Sequence, residues 1–304
     1  MGNSKIWDAD WEVSEELASR LISSQFPQLA SKRIQKLGHG WDNTVYVVGD
    51  EFVFRFPRRK IAVNLLEMES RILPELADRI AIPYSKPLFF GKETGDYPSP
   101  FLGYTYLAGE FPIGLTDEQR LLSVSALAQF LKSLHAFPLQ IAREHGVPHD
   151  HRSLIDITSR KEKMLNFLSD LREHLQKEEY GLIEAYLQHL TLDHVKPKDV
   201  FLHGDLHFKN MLVDETGKIS GIIDWGDMNI GHPACDLNLV YSFLPPDARS
   251  AFFKEYGEVD EETKILARFI AVYIPMLILL QATSDQDEKI AEEAKANIKR
   301  ALTY

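Results

Sequence analysis

His203-Gly204-Asp205-Leu206-His207-Phe208-Lys209-Asn210 and, a little further on, Asp224-Trp225-Gly226-Asp227 form the densest run of chemically capable side chains in the sequence. Asn210 stands five positions after Asp205, and Asp224 fourteen positions after Asn210. Between them, Val213-Asp214-Glu215-Thr216-Gly217-Lys218-Ile219 reads as a tight turn flanked by short apolar segments at 211–213 and 219–223. A β-hairpin there folds the two groups of side chains back onto one site.

Outward from this stretch the chain changes texture. Toward the C-terminus, 247–302 reads as a helical block; its longest apolar run, 269–282, is about 14 residues where a membrane span needs about 20, and Pro275 interrupts it. A buried helix is expected. Toward the N-terminus, 155–192 reads as two helices broken near Tyr180-Gly181, and Thr116 with Gln119 has capping-box spacing at the head of a helix carrying Leu121, Val124, Leu127, Leu131 and Leu134. Before Ala108 the pattern is mainly strand: 44–48 and 52–56 around Gly49-Asp50, then 82–90 and 101–107, in a sheet of about four or five strands. Helices at 14–26 and 63–76 accompany it. The expected fold is α+β, with a nucleotide-binding lobe over 1–107, a hinge at about 103–108 and a helical lobe over 108–304.

Phosphoryl transfer needs one carboxylate beside the attacking hydroxyl, and an amide oxygen with a second carboxylate to hold Mg²⁺ against nucleotide phosphates. Asp205, Asn210 and Asp224 are those parts. Their Asp-x4-Asn spacing followed by Asp-x-Gly resembles the catalytic and magnesium loops of protein kinases, with His203-Gly204-Asp205 in place of His-Arg-Asp and Asp224-Trp225-Gly226 in place of Asp-Phe-Gly. In this wording, closed by Gly231-His232-Pro233-Ala234-Cys235-Asp236-Leu237, the chain resembles the aminoglycoside phosphotransferase family, which includes the macrolide kinases. The resemblance covers nearly the whole chain. It implies a two-lobed protein-kinase-like fold, with an antiparallel sheet in the first lobe and a mainly helical second lobe. It implies Asp205 as the catalytic base that orients the substrate hydroxyl, Asn210 and Asp224 as metal ligands, Asp236 as the support of the catalytic-loop backbone, and His203 as a packing and hydrogen-bonding residue. Turn capping would account for Asp205 or Asn210 singly but not for their joint spacing with Asp224. His203-x-Asp205-x-His207 also has the residue types of a hydrolytic metal centre, provided alternate strand positions converge. His145, His149 and His151 read as solvated loop histidines.

In the first lobe, Gly38-x-Gly40-x-x-Asn43 stands where kinases carry a glycine-rich loop over the phosphates; Asn in the third place tolerates the left-handed backbone region. By the same resemblance Arg55, within Phe52-Val53-Phe54-Arg55-Phe56-Pro57, replaces the phosphate-binding lysine, and the run through Arg58-Arg59 is similar to one in the macrolide branch. Glu69 is its expected partner, ahead of Glu67, because Glu69-Ser70-Arg71-Ile72-Leu73 has the family's register. Gly103-Tyr104-Thr105-Tyr106-Leu107 is expected to present its backbone at Thr105 to Leu107 to the nucleotide base, with Tyr104 behind it. A large ring there shortens the pocket, so GTP is expected to serve at least as well as ATP. On the acceptor side Asp227 and the run Glu258, Asp260, Glu261 and Glu262 are candidates to meet an amine.

With 304 residues and 44% hydrophobic content the chain can bury a core, which excludes a disordered or fibrous class. Its 45 Asp+Glu against 34 Lys+Arg leave a net charge of −11, a field that repels nucleic acid and anionic membrane and suits an amine-bearing ligand. The single cysteine, Cys235, makes no internal disulfide, and the acidic first twenty residues read as neither signal nor transit peptide, so a reducing, cytoplasmic setting is expected. With no zipper pattern, a monomer is the expectation. The sequence thus reads as a Mg²⁺-dependent kinase moving the γ-phosphate of ATP or GTP to a small-molecule alcohol, an aminoglycoside or macrolide antibiotic. Alternatives are a kinase of a metabolic alcohol of choline, homoserine or thiosugar type, and a non-catalytic nucleotide-binding module.

Overall fold

The computed structural model describes residues 10–39, 42–192 and 195–304. They divide into two compact units, one reaching to Asp78 and resuming over Tyr84–Leu107, the other made of Arg79–Pro83 and Ala108–Tyr304.

The first unit is an antiparallel sheet with two helices. Helix α1 (Glu15–Gln25) starts where the Ser14 hydroxyl accepts the Leu17 N–H, and Pro27 closes it. Strands β1 (Ile34–His39), β2 (Asn43–Val48) and β3 (Phe52–Pro57) follow; Gly49 and Asp50 both take positive φ, +58° and 55°, at the centre of the tight turn from Val48 to Glu51 that joins β2 to β3. With β4 (Pro87–Gly91) and β5 (Phe101–Thr105) the sheet order is β1-β2-β3-β5-β4. Side chains alternate across it. Tyr46, Val48, Phe54 and Phe56 pack one face against Ala18, Leu21 and Ile22 of α1, and the Phe56 and Phe101 rings stack at 4.6 Å. Gly103 is small because a Cβ there would lie 2.5 Å from the Phe54 ring. Helix α2 (Lys60–Ile72) begins before the expected 63 and ends before the expected 76: Pro74 has no N–H to continue it, and Leu73–Leu76 tightens into a 3₁₀ turn.

Two sequence expectations are corrected at this point. Strand β4 starts at Pro87 rather than Ile82, and Arg79–Pro83 clusters with the second unit rather than the first. There the Pro83 carbonyl accepts the Ile222 N–H at 2.9 Å, and the Arg79 guanidinium lies 5.3 Å from the Phe137 ring centre.

The second unit is mainly helical. Helix α3 (Asp117–Leu121) opens with the reciprocal Thr116–Gln119 cap, but the single helix expected from it is two: α4 (Val124–His135) begins after Ser123, whose buried hydroxyl accepts the Ile219 N–H. Helix α5 (Leu139–Glu144) precedes α6 (Ile157–Asp170) and α7 (Lys177–His189). The break between these two falls at 171–176, not at Tyr180-Gly181, which lies inside α7; a Gln176–Glu179 capping box starts α7 instead. Strands β6 (Val200–Leu202), β7 (Met211–Val213), β8 (Ile219–Ile222) and β9 (Asn229–Gly231) form two antiparallel pairs, β6 with β9 and β7 with β8. Helices α8 (Ala234–Leu237), α9 (Leu239–Ser242), α10 (Arg249–Tyr256), α11 (Glu261–Asp285) and α12 (Glu288–Leu302) complete it. Helix α11 is long and apolar enough to cross a membrane by length and composition, yet 67% of that apolar window is buried, and it packs against α6, α8, α9 and α12. It is the core helix of the unit.

The strand pairs frame two loops. Residues 203–210 leave β6 and enter β7; residues 223–228 leave β8 and enter β9. Leu202 pairs with Asn229 at one end and Met211 with Ile222 at the other, so both loops are closed against each other at both ends.

Candidate active site

Backbone bonds fix the first loop. Asp236, fully buried in α8, accepts the N–H of His203 at 2.8 Å and of Gly204 at 3.0 Å, and Asn238 donates to the Leu206 carbonyl. Gly204 has φ +85°, and a Cβ on it would sit 2.2 Å from the Asp227 carbonyl oxygen, so no residue with a side chain fits where protein kinases place arginine. The His203 ring accepts the Asp205 N–H at Nδ1 and donates from Nε2 to the Ile223 carbonyl at 3.0 Å, packed on Trp225 at 4.7 Å between ring centres. Both nitrogens are committed to backbone, which removes His203 as a metal ligand and with it the His-x-Asp-x-His hydrolytic reading.

Asp205 is surrounded by donors. Arg152 Nη1 donates to Oδ1 at 2.7 Å, while His207 Nε2 and Asn210 Nδ2 each lie 3.3 Å from Oδ2. His207 Nδ1 accepts the Lys209 N–H, so its hydrogen is on Nε2, facing the carboxylate. Burial pushes the Asp205 carboxyl up, but the His207 hydrogen bond and the Arg152 guanidinium outweigh it and hold it below the usual carboxylate range. Asp227, 3.7 Å from Arg152, is shifted the other way: burial raises it, Asp205 and Asp224 add like charge, and Arg152 only partly offsets them.

Asn210 is 5% exposed, and its Nδ2 also donates to the Asp205 carbonyl at 2.8 Å, so Oδ1 is the end left to face a cation. Its carbonyl accepts the Ile223 N–H at 3.0 Å, which ties the first loop to the residue just before Asp224. Asp224 is exposed and takes φ 62°, a left-handed conformation uncommon for a side-chain-bearing residue and typical of functional turns. An amide oxygen and a carboxylate are the hard donors Mg²⁺ accepts alongside phosphate oxygens. Among the described residues no group of three or more His, Cys, Asp and Glu stands ready to hold a metal unaided.

The first unit holds a second cluster. Arg55 Nη1 donates to Glu69 Oε1 at 3.1 Å and Oε2 at 2.9 Å; Glu69 is 1% exposed. Tyr104, on the same face of the sheet, donates its hydroxyl to Glu69 Oε2, and the Arg55 guanidinium lies 5.7 Å from its ring centre. Glu67 instead meets Arg71 at 4.0 Å on the exposed side of α2. The Thr105 N–H donates to the Lys86 carbonyl and the Tyr106 N–H to Glu51, so these two amides are engaged within the sheet, and Leu107 carries the next one along. At Gly38, beside an irregularity in the β1–β2 register, a Cβ meets no atom within 4 Å among the described residues. Asn43 opens β2 opposite Pro57, its Oδ1 buried without a partner among those residues. Gly40 lies outside the described residues.

Three members of the acidic run at the head of α11 are engaged within the protein. Asp260 caps Thr263 and pairs with Lys198, Glu262 accepts the Lys196 N–H, and Glu261 pairs with Lys264. The residue that sequence reasoning missed is Arg152, which sits in the loop where only the histidines drew notice.

A family model described as the phosphotransferase enzyme family matches residues 33–269, and the chain belongs to that family. It is 32% identical over 146 residues to the aminoglycoside 3'-phosphotransferase of Streptomyces ribosidificus, 47% of this chain and 52% of that one, so it spans about half the length of this curated relative. It is 27% identical over 267 residues to the uncharacterized protein YcbJ of Bacillus subtilis (strain 168), 78% of each chain. Among solved structures, the GDP complex of wild-type aminoglycoside 2'-phosphotransferase-IIIa superposes with a TM-score of 0.66 at 22% identity, covering 95% of this chain and 99% of that one. Macrolide 2'-phosphotransferase MphH from Brachybacterium faecium gives 0.55 at 19% identity, with 87% and 91% covered. These likenesses show the fold: α+β and kinase-like.

Proposed function

We propose that this phosphotransferase moves the γ-phosphate of a nucleoside triphosphate to a hydroxyl of an aminoglycoside or macrolide antibiotic. The observation that carries the reading is the double tie at Ile223, whose carbonyl takes the His203 ring and whose N–H reaches the Asn210 carbonyl, drawing Asp205, Asn210 and Asp224 to one place. The relatives named for aminoglycoside and macrolide phosphotransfer support the acceptor class.

Asp205 accepts a hydrogen bond from the acceptor hydroxyl and aims its oxygen at the phosphorus. Its low basicity suits that task, because a loose transition state asks for positioning more than for early proton removal. Asn210 Oδ1 and the Asp224 carboxylate hold Mg²⁺, which when bound neutralises the phosphate oxygens. Arg55, steadied by Glu69, meets the phosphates; the backbone at Gly38, Gly40 and Asn43 covers them; Thr105 and Leu107 offer backbone groups to the base, with Tyr104 behind it. Asp227 lines the acceptor side.

The test is a phosphate-transfer screen over aminoglycosides, macrolides and metabolic alcohols of choline, homoserine and thiosugar type, with ATP and GTP. Phosphorylation of an antibiotic, abolished in Asp205→Ala, is the expected result. Turnover of the metabolic alcohols alone, or bound nucleotide without any transfer, overturns the acceptor assignment or the kinase reading respectively.

A further inference from the structure

The loop that carries Arg152 is tied by hydrogen bonds to the strand and helices around it. Pro148 and Asp150 clasp β9, the Pro148 carbonyl accepting the Ile230 N–H at 2.8 Å and the Asp150 N–H donating to the Ile230 carbonyl at 2.9 Å. Asp150 Oδ1 then accepts the N–H groups of Arg152 and Ser153, at 2.8 and 3.2 Å, and Ser153 takes φ 51° to make the turn. From the other side Arg160 donates to the Arg152 and Ser153 carbonyls and, at 2.7 Å, to the Tyr273 hydroxyl of α11. A backbone held on both sides gives the side chain one place to go. That place is the Asp205 carboxylate, with Nη1 also 3.2 Å from the Gly204 carbonyl.

We infer that Arg152 is a positioning residue for phosphoryl transfer, holding the Asp205 carboxylate and the Gly204 carbonyl in one fixed relation so that the free lone pairs of Asp205 point at the acceptor hydroxyl. The inference rests on the kinase reading of Asp205. Gly204 has no side chain to brace the loop, and Arg152 adds a hold on its carbonyl to those that Asp236 and the His203 ring place on the neighbouring N–H groups. Arg152 also reaches Asp227, so it sets the charge of the acceptor side as well as its geometry. A carboxylate displaced by about 1 Å costs on the order of 100-fold in rate without any change in what binds.

The experiment compares wild type with Arg152→Ala and Arg152→Lys in two reactions: transfer to an acceptor that wild type phosphorylates, and slow hydrolysis of the nucleotide by water. The expected result for Arg152→Ala is a kcat about 100-fold lower, with nucleotide KM and Mg²⁺ dependence within about 2-fold of wild type. Arg152→Lys, or guanidinium added to Arg152→Ala, recovers part of the loss. Asp205→Asn combined with Arg152→Ala is no slower than Asp205→Asn alone, because the two act through one carboxylate. Wild-type kcat in Arg152→Ala overturns the inference. So does a rise in nucleotide KM that tracks a fall in melting temperature equally in the Ala and Lys variants, the mark of a merely structural residue. A wild type inactive in both reactions sinks the kinase reading itself.

Discussion

The hydroxyl of Tyr104 donates to Oε2 of Glu69 at 2.9 Å, and both side chains are about 1% exposed. The ring expected behind the base and the ion pair expected under the phosphates are therefore one hydrogen-bonded group. Tyr104→Phe keeps the ring and removes one donor from a buried carboxylate, which costs about 1–3 kcal/mol of stability. Its ATP-to-GTP preference is expected to stay that of wild type, while Tyr104→Ala opens the space and moves preference toward ATP. Thermal melting and kcat/KM for both nucleotides check this; a strong wild-type ATP preference that Tyr104→Ala leaves alone defeats it.

Glu69 is buried and pairs with the part-buried Arg55, so removing either partner takes a close opposite charge from the other. Glu69→Ala is expected to destabilise by about 3–5 kcal/mol, seen as a lower urea midpoint. Arg55→Lys keeps the charge and loses the planar fork, so its nucleotide KM is expected to lie between wild type and Arg55→Ala. Equal KM for all three proteins means Arg55 does not meet the phosphates.

Asp205→Ala is expected to abolish turnover while leaving nucleotide affinity nearly intact. A retained rate above about a tenth of wild type, less than about 1.4 kcal/mol of barrier, contradicts the role. Asp224→Ala is expected to shift the Mg²⁺ dependence of the rate as well, and Asp224→Asn to remain poor because an amide lacks the charge. An unchanged Mg²⁺ curve in both variants transfers the metal role elsewhere.

His232 gives the protein a pH dependence. Its Nδ1 accepts the Ala234 N–H, its Nε2 is buried with no partner among the described residues, and burial with nearby Lys198 lowers its pKa from 6.5 to about 4 against the pull of Asp260 and Glu262. The unfolded chain therefore binds a proton that the folded one refuses. The stability this site contributes is complete above its ordinary 6.5 and declines as pH falls from there toward about 4. Urea midpoints across that window are expected to fall less steeply in His232→Gln than in wild type; identical slopes remove His232 from the account.

Asp205, Asn210, Asp224 and Asp236 were legible because their relation is local: short spacings, with one hairpin between them. Arg152 was not, since it reaches Asp205 from 53 positions upstream and its own neighbours give only a loop. Gly204 in place of arginine was the one hint that the loop's bracing comes from elsewhere. Gly181 misled as a helix breaker because a single interior glycine costs only about 1 kcal/mol, which the packing of Ile183 and Leu187 offsets. The Tyr104–Glu69 bond depends on strand register and helix placement together, and no linear pattern states both.

The rungs Leu202–Asn229 and Met211–Ile222 turn the two loops into a closed ring, and rings do not tolerate being resized. One residue inserted in 203–210 or 223–228 would slip a rung and turn the following side chains to the opposite face. The turn at 214–218 lies outside the ring; Asp214 holds it through its bonds to Thr216 and Lys218, Gly217 packs against Gln119 of α3, and its length sets no rung of the ring. Length variation in descendants or engineered forms of this protein belongs there, and a new pair of chain ends opened at that turn would leave the ring whole.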